Sequence, residues 1–183
     1  MLSFSLSDEF VDYAGRTNPG MKLRQDVAQL FEETRDDVYR YLLNLGLHPP
    51  QAQEGAQEVF LRLYATLRKG EEIQNPRAWI FRVAHNLGLK IRARESSQAP
   101  FEAELELNLA EPGLDPEQGL LERERSLRLH KGIQQLSEQQ RRCLFLRMEG
   151  LRYPEIGMAL GSSTSAVSEF LRRALVRLRK SEA

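Results

Sequence analysis

The sequence has 183 residues, of which 41% are hydrophobic, and its 26 acidic and 26 basic side chains give a formal net charge of zero. This length suits one or two small domains, and a single cysteine, Cys143, excludes an internal disulfide framework. No apolar run approaches the ~20 residues of a membrane span, and the N-terminus MLSFSLSDEF lacks the features of a signal peptide. We therefore expect a soluble, cytoplasmic protein.

The neutral total hides an uneven distribution of charge along the chain. Residues 99–125 contain eight acids and two bases, a net charge of −6. Residues 126–183 contain five acids and eleven bases, a net charge of +6. An asymmetry of this kind suggests that the basic end contacts nucleic acid.

Residues 1–24 are interpreted as a weakly ordered N-terminal extension. Gly15, Pro19 and Gly20 interrupt any long helix in this stretch. Apolar residues at a period near 3.6 then predict a first helix over residues 25–45, which Gly46 would end.

A second helix is predicted from about Pro50 to Leu67, because proline tolerates the first turn of a helix. Phe60, Leu61 and Tyr64 widen its apolar surface beyond the inner stripe. These residues either fill the core of their own domain or belong to a mixed acidic and apolar face that binds a partner.

Asn75-Pro76 signals the start of a third helix, with Asn as N-cap and Pro in the first helical position. This helix runs to about residue 94, and Trp79 lies near its start. Polar and basic side chains share one face: Arg82, His85, Asn86, Lys90 and Arg94. A basic face with a nearby aromatic ring suits nucleic-acid contact. The alternative is a solvated face, with the tryptophan as a core anchor.

Residues 99–119 are predicted to be an acidic, flexible linker. Pro100, Pro112, Gly113 and repeated glutamates oppose a packed core there. Helix is expected to resume near residue 116. Residues 137–140, Ser-Glu-Gln-Gln, have the form of a capping box and open a helix that runs through Met148.

Residues 153–175 divide into a short helix, a tight turn and a longer helix. Gly161 stands where helices end in a left-handed residue, and Gly157 is small where the helices approach closely. Ser162, Ser163 and Thr164 offer hydroxyls to cap the second helix. This pattern is typical of a helix-turn-helix, whose second helix enters the major groove of DNA. The alternative is an ordinary helical hairpin in a core.

The candidate DNA contacts lie in the turn and in the second helix of the helix-turn-helix. They combine small polar groups at the start of that helix with basic groups further along it. Glu169 among them is a candidate acceptor from cytosine N4, and the arginines can reach phosphates. The candidates are Ser163, Thr164, Ser165, Ala166, Ser168, Glu169, Arg172, Arg173 and Arg177.

Three stretches of the chain resemble the extracytoplasmic-function group of bacterial RNA polymerase sigma factors, which belongs to the sigma-70 family. QAQEGAQEVFLRLY (51–64) is similar to the polymerase-binding helix of that group, and NPRAWIFRVAHNLGLKIRARE (75–95) to its downstream-promoter helix. Residues 136–180 are similar to its upstream-promoter module. The resemblance implies an all-α chain of two small helical domains, residues 25–98 and 120–183. The linker joins them, and the second domain contains the helix-turn-helix.

The resemblance also implies where the two partners bind. It assigns to the polymerase four residues of the second helix: Glu54, Gln57, Glu58 and Leu61. It assigns to the downstream promoter element, where DNA opens beside a flipped base, residues of the third helix and of the loop before it. These are Lys69, Gly70, Gln74, Asn75, Arg77, Trp79, Arg82, His85, Asn86, Lys90 and Arg94. Lys90, Glu169 and Phe170 depart from the residues frequent in the family.

The function implied is transcription initiation with core RNA polymerase and promoter DNA as partners, and the resemblance allows an anti-sigma factor as a third. The alternatives are a stand-alone helix-turn-helix regulator with an N-terminal sensing or dimerising module, and an adaptor that binds proteins alone. We expect no enzyme, cofactor or metal. The three histidines are dispersed without metal-ligand spacing, and the chain has no glycine-rich phosphate loop.

Overall fold

The structure, a computed structural model, describes residues 19–95 and 116–182. Within these two ranges the chain forms seven α-helices, and none of these residues lies in a strand. The predicted all-α class is therefore confirmed. Most of the predicted N-terminal extension and most of the predicted acidic linker lie outside the described residues.

The first three helices form the N-terminal module: α1 is Pro19–Asn44, α2 is Pro49–Arg68 and α3 is Pro76–Glu95. The predictions for α2 and α3 agree with the structure to within one residue at each end. The predicted start of α1 at residue 25 is wrong, because the helix already contains Pro19 and Gly20. Proline fits the first turn of a helix, where its missing N–H is not needed, so Pro19 opens the helix instead of interrupting it.

The C-terminal module contains α4 (Pro116–Gln134), α5 (Glu138–Met148), α6 (Tyr153–Leu160) and α7 (Thr164–Glu182). The predicted capping box of α5 is confirmed. The backbone N–H of Gln140 donates to Oγ of Ser137 at 3.3 Å, and the N–H of Ser137 donates to Oε1 of Gln140 at 3.0 Å. Both donors would otherwise lack an intrahelical partner.

The core of the N-terminal module forms where its three helices meet. Phe60 packs edge-on against Phe31 with ring centroids 5.0 Å apart, so it fills the module's own core. Leu61, the next residue, is 64% exposed and stays at the surface. The buried side chains include Val38, Tyr41, Leu42, Ala52, Val59, Phe60, Leu63, Ile80, Phe81 and Ala84.

The two modules pack against each other. α6 lies on α3, and α5 contacts α1. Buried side chains of both modules belong to one apolar cluster. Hydrophobic periodicity did not predict this contact, since a helical period reveals a buried face but not the neighbour that covers it.

Candidate nucleic-acid and polymerase interface

The helix-turn-helix consists of α6, a turn at residues 161–163 and α7. Gly161 ends α6 with a φ of +64°, as predicted. A Cβ on Gly157 would lie 2.6 Å from the backbone oxygen of Ser162. The backbone that lies close to Gly157 is therefore that of the turn. Oγ of Ser163 accepts from the backbone N–H of Ala166 at 3.2 Å and caps α7.

The outer face of α7 carries most of the predicted DNA contacts. Its inner face, Val167, Leu171 and Ala174, is buried against the module, and Ala166 and Glu169 are partly buried. The exposed side of α7 also carries Leu175 and Val176. The major groove is wide enough to admit an α-helix. The exposed candidates are Ser163, Thr164, Ser165, Ser168, Arg172, Arg173 and Arg177.

Glu169 holds two of these arginines. Its carboxylate accepts from Nε and Nη2 of Arg172, both at 2.8 Å, and from Nε of Arg173 at 2.6 Å. The hydrogen bonds from Arg172 and then Arg173 lower the pKa of Glu169 to about 2. The carboxylate is therefore ionised at neutral pH, and both of its oxygens already have donors.

Asn75, at the start of α3, uses both ends of its side-chain amide. Its Oδ1 accepts from the backbone N–H of Ala78 at 3.0 Å, which confirms the predicted N-cap. Its Nδ2 donates to Oε1 of Glu155 in α6 at 3.2 Å. Glu155 also accepts from the backbone N–H of Arg152 at 2.7 Å. Burial opposes the ionisation of Glu155, but the hydrogen bonds from Arg152 and Asn75 outweigh it and lower the pKa of this carboxyl.

A cavity of about 250 Å³ opens beside the start of α3. Four of its lining residues carry groups that can contact a base: Trp79 has an aromatic ring, Gln74 and Asn75 have amides, and Arg82 has a guanidinium. Stacking surfaces and adaptable hydrogen-bond groups of this kind recognise an unstacked base. The lining residues are Glu71, Glu72, Ile73, Gln74, Asn75, Ala78, Trp79 and Arg82 from the N-terminal module, and Met158 from α6.

The polar face of α3 keeps four of its predicted members exposed: Arg82, Asn86, Lys90 and Arg94. His85 does not lie on this face, because it follows Phe81 by one turn and is only 6% exposed. Its Nδ1 is 2.8 Å from the hydroxyl of Tyr41. Burial, and then the charge of Arg142, lower the pKa of His85 to about 4. The expectation that His85 contacts DNA is corrected, since a buried, neutral ring cannot reach a phosphate.

Arg77 is engaged within the protein. Its Nη2 donates to Oδ2 of Asp37 at 2.7 Å and to the backbone oxygen of Glu149 at 2.5 Å. Arg77 therefore ties α3 to α1 and to the end of α5. The other predicted members in the loop between α2 and α3, which are Lys69, Gly70 and Gln74, are exposed.

A second contact between the modules was missed by sequence reasoning. Nη2 of Arg40 in α1 donates to Oε2 of Glu149 at 2.8 Å and to Oδ1 of Asp37 at 2.5 Å. Burial raises the pKa of Glu149 and outweighs the opposing hydrogen bond from Arg40. Glu149 caps the C-terminus of α5, where the helix dipole disfavours a negative charge. An acid at that position is the signal that would have predicted a nearby cation.

The surface of α2 carries the four residues assigned to the polymerase. Glu54, Gln57 and Leu61 are exposed. Glu58 is partly buried and accepts from Nε of Arg62 at 2.7 Å. The result is one apolar side chain flanked by acidic and amide groups.

Two other kinds of site are absent from the residues that the structure describes. In residues 19–95 and 116–182, no group of three or more His, Cys, Asp or Glu side chains is arranged to hold a metal ion. No helix in these ranges combines the length and the apolar character needed to cross a membrane.

Comparison with known proteins identifies both modules. Residues 30–97 match the family described as Sigma-70 region 2, and residues 126–178 match Sigma-70, region 4. The RNA polymerase sigma factor YlaC of Bacillus subtilis (strain 168) is 28% identical over 162 residues, which are 87% of this chain and 94% of the relative.

Two solved structures have a similar fold. CnrH, in complex with the cytosolic domain of CnrY, is 18% identical with a TM-score of 0.57, and the match covers 88% of this chain and 92% of CnrH. The sigma factor RpoE from Bartonella quintana, in complex with the anti-sigma factor NepR, is 20% identical with a TM-score of 0.64. That match covers 86% of this chain and 96% of RpoE. At these identities the two structures support the fold alone.

Each matched segment covers most of one module of the structure, region 2 most of the helices α1–α3 and region 4 most of α4–α7. This ordered pair confirms the resemblance seen in the three sequence stretches, and it favours a sigma factor over a stand-alone regulator. The chain belongs to the sigma-70 family of bacterial RNA polymerase sigma factors and acts in transcription initiation.

Proposed function

We propose that α2 docks on core RNA polymerase, that the cavity beside α3 receives an unstacked promoter base, and that α7 reads the upstream promoter element as duplex DNA. The cavity is the observation that carries this assignment, because it joins a stacking ring to amide groups at one helix start. The proposal gives each of these three surfaces one ligand.

The residues that line the cavity can offset the cost of unstacking a base. Extracting a base from the duplex costs a few kcal/mol, and stacking on an aromatic ring returns about 1–3 kcal/mol per base. Trp79 offers that ring, and Gln74 can pair with a base edge. The exposed row that begins at Arg82 and continues through Asn86 and Lys90 supports a path for the phosphates of the same strand.

The polymerase contact is proposed on α2 because of Leu61. A leucine that is 64% exposed, with Glu54 and Gln57 near it on the same helix, has the composition of an interface anchor with a polar rim. In this proposal the leucine enters an apolar depression on the polymerase, and the acidic groups face basic side chains.

The α7 contact rests on its exposed polar start and the arginines behind it. Ser165 and Ser168 are small enough to approach base edges, and Arg172 and Arg177 lie further along the same helix, where phosphates would pass. Neutralisation of each phosphate by an arginine releases counterions, which makes this binding dependent on salt.

The test of the polymerase assignment uses two leucines of matched exposure. Leu61 is 64% exposed on α2, and Leu127 is 60% exposed on α4. Leu61→Ala should weaken binding to core RNA polymerase about tenfold, the loss of roughly 1.4 kcal/mol expected for an interface anchor. Leu127→Ala should bind as the unchanged protein does. Equal affinities of all three proteins in a fluorescence titration would contradict the assignment to α2.

We further propose that the chain has no catalytic chemistry of its own and works in the cytoplasm, where polymerase and chromosome meet. An anti-sigma factor is proposed as a regulatory partner. Support comes from RpoE of Bartonella quintana, whose structure was solved with the anti-sigma factor NepR.

A further inference from the structure

We propose that Glu169 is a positioning residue, which holds the guanidinium of Arg173 so that its terminal amino groups donate to a guanine of the upstream promoter element. The inference rests on the proposed function, in which α7 reads that element as duplex DNA. It adds the identity of one base and of the side chain that reads it. It also gives a role to Glu169, which departs from the residues frequent in the family.

The three side chains lie together on the outer face of α7. Arg172 and Arg173 follow Glu169 by three and four residues, the spacings that bring helical side chains within reach of one another. The side chains of the two arginines are 64% and 61% exposed, and that of Glu169 is 40% exposed. Val167 and Leu171 bury the other side of the helix. A groove that received α7 would therefore meet the carboxylate and both guanidinium groups.

The three arginines of this surface use different N–H groups to bind the protein. Arg172 donates from Nε and Nη2 to Glu169, both at 2.8 Å. Arg177 donates from Nη1 to the backbone oxygen of Gln135 at 3.0 Å, which ties it to the residue after α4. Arg173 donates to Glu169 from Nε, at 2.6 Å. The contact that holds Arg173 therefore leaves both of its terminal nitrogens, Nη1 and Nη2, to a ligand.

The terminal edge of Arg173 matches guanine. In the major groove, guanine presents two acceptors, N7 and O6, and an arginine that donates to both makes the commonest specific contact with a base. The guanidinium is planar, so its terminal N–H groups form a rigid fork. Adenine and cytosine place an amino donor on the same edge, and thymine places one acceptor beside a methyl group. The fork can therefore distinguish guanine from the other three bases.

Glu169 makes this contact selective, because it restricts the arginine before DNA arrives. A free arginine is drawn to any phosphate, since that attraction is electrostatic and carries no sequence information. The carboxylate offsets part of the charge of both arginines, and its bond to Nε fixes the inner end of the Arg173 guanidinium. Its Oε1 accepts from both arginines and its Oε2 from Arg172. The carboxylate is thus engaged within the protein, and the arginine that it holds reads the base.

The experiment uses the complex of the full chain with core RNA polymerase, and duplex DNA whose upstream segment is randomised. Bound fragments are recovered and sequenced, which gives the base preference at each position. Arg173→Lys retains the charge but loses the fork, Glu169→Gln removes the negative charge, and Arg172→Ala removes the neighbouring cation. Glu32→Gln is the matched control, because Glu32 forms an exposed pair with Arg35 at the same spacing of three residues on α1. Circular dichroism verifies that each variant retains its helices.

The unchanged protein should prefer guanine at one upstream position by roughly tenfold, within the discrimination typical of a bidentate contact. Arg173→Lys should abolish this preference, and Glu169→Gln should reduce it at the same position. Arg172→Ala should weaken binding but keep the preference, and Glu32→Gln should alter neither quantity. Replacement of that guanine by 7-deazaguanine, which lacks the N7 acceptor, should weaken binding of the unchanged protein roughly fivefold and that of Arg173→Lys by less.

A guanine preference that is absent, or that Arg173→Lys leaves unchanged, would overturn the assignment of Arg173. A preference that falls in Arg173→Lys but not in Glu169→Gln would overturn the positioning role of Glu169. Loss of a cytosine preference in Glu169→Gln would also overturn it, because the carboxylate itself would then read a base. If the complex of the unchanged protein showed no base preference at any upstream position, the proposed reading of upstream DNA by α7 would fall together with this inference.

Discussion

The hydroxyl of Tyr41 and Nδ1 of His85 lie 2.8 Å apart and join α1 to α3 inside the protein. Tyr41 is fully buried and His85 is 6% exposed. Burial raises the pKa of Tyr41. Burial and then Arg142 of α5 lower the pKa of His85 to about 4, while Glu138 of α5 opposes that shift. Both side chains are therefore neutral at neutral pH, and protonation of His85 should destabilise the folded protein.

The first prediction is a loss of stability in mild acid that originates in His85. Its folded-state pKa of about 4 lies below the unfolded value of about 6.5, so the unfolded chain binds more protons between these values. The stabilisation is present above pH 6.5 and is lost as the pH falls through this window. From pH 7 to pH 5 the loss should be about 2 kcal/mol, which urea unfolding at the two values measures.

The controls for this prediction are two histidine variants. His85→Gln should be less stable at pH 7 but should lose less of its stability between pH 7 and pH 5. His130→Gln removes a partly exposed histidine that pairs with Gln134 in α4, and it should keep the acid dependence of the unchanged protein. If His85→Gln kept the full acid dependence, other groups would be responsible for it.

The second prediction separates two glycines of the helix-turn-helix. Gly161→Ala meets no atom within 4 Å, so its cost is the strain of a φ of +64°, about 1 kcal/mol. Gly157→Ala would bring Cβ to 2.6 Å from a backbone oxygen, and overpacking of this kind costs typically 1–3 kcal/mol. Gly157→Ala should also distort the turn and weaken upstream promoter binding, with polymerase binding retained. Equal free energies of unfolding in urea for the two variants would show that the backbone of the turn shifts to accommodate the added Cβ.

The third prediction concerns Glu169 and the arginines that it holds. Glu169→Gln should release Arg172 and Arg173 toward phosphates. Promoter binding by the polymerase complex should become tighter but less selective among sequences. Arg172→Ala should weaken binding to all sequences and reduce the slope of log K against log salt by about 0.9, the value for one phosphate. Gel shifts over a range of salt measure both effects. Loss of binding in Glu169→Gln would mean that the carboxylate itself reads a base.

The fourth prediction tests strand opening at the cavity wall. Glu72→Ala combined with Gln74→Ala removes polar groups from the loop before α3 and leaves the Asn75 cap in place. The variant should bind polymerase normally but fail to open promoter DNA, as measured by permanganate reactivity at the start site. Gln29→Ala with Glu33→Ala, an exposed pair on α1, is the control with the same residue types. Normal reactivity of the loop variant would refute a role for these groups.

Much of the fold could be predicted because its signals are local. The cap at Asn75, the box at Ser137 and the left-handed Gly161 each depend on neighbours within a few residues. The prediction that His85 lies on the exposed face of α3 was wrong. The sequence indicates a polar position there, because it does not reveal that Tyr41 provides a buried hydrogen-bond partner.

The relationships that sequence could not reveal are the long-range ones. The contact between Arg40 and Glu149 joins residues 109 positions apart, and no periodicity encodes such a pairing. The pairing of Glu169 with Arg172 and Arg173 was accessible, because the spacings of three and four residues place these side chains on one helix face. The prediction that Glu169 accepts from a base did not take these spacings into account.

The caps of four helices lie wholly within the modules that they serve. Asn75 Oδ1 serves α3 from inside the N-terminal module. Ser137, Glu155 and Ser163 serve α5, α6 and α7 from inside the C-terminal module. None of these four hydrogen bonds crosses from one module to the other, although the other end of the Asn75 amide donates across to Glu155. Each module can therefore start its helices from its own residues, and a substitution at the contact between α6 and α3 should alter how the modules pack without unwinding these helix starts.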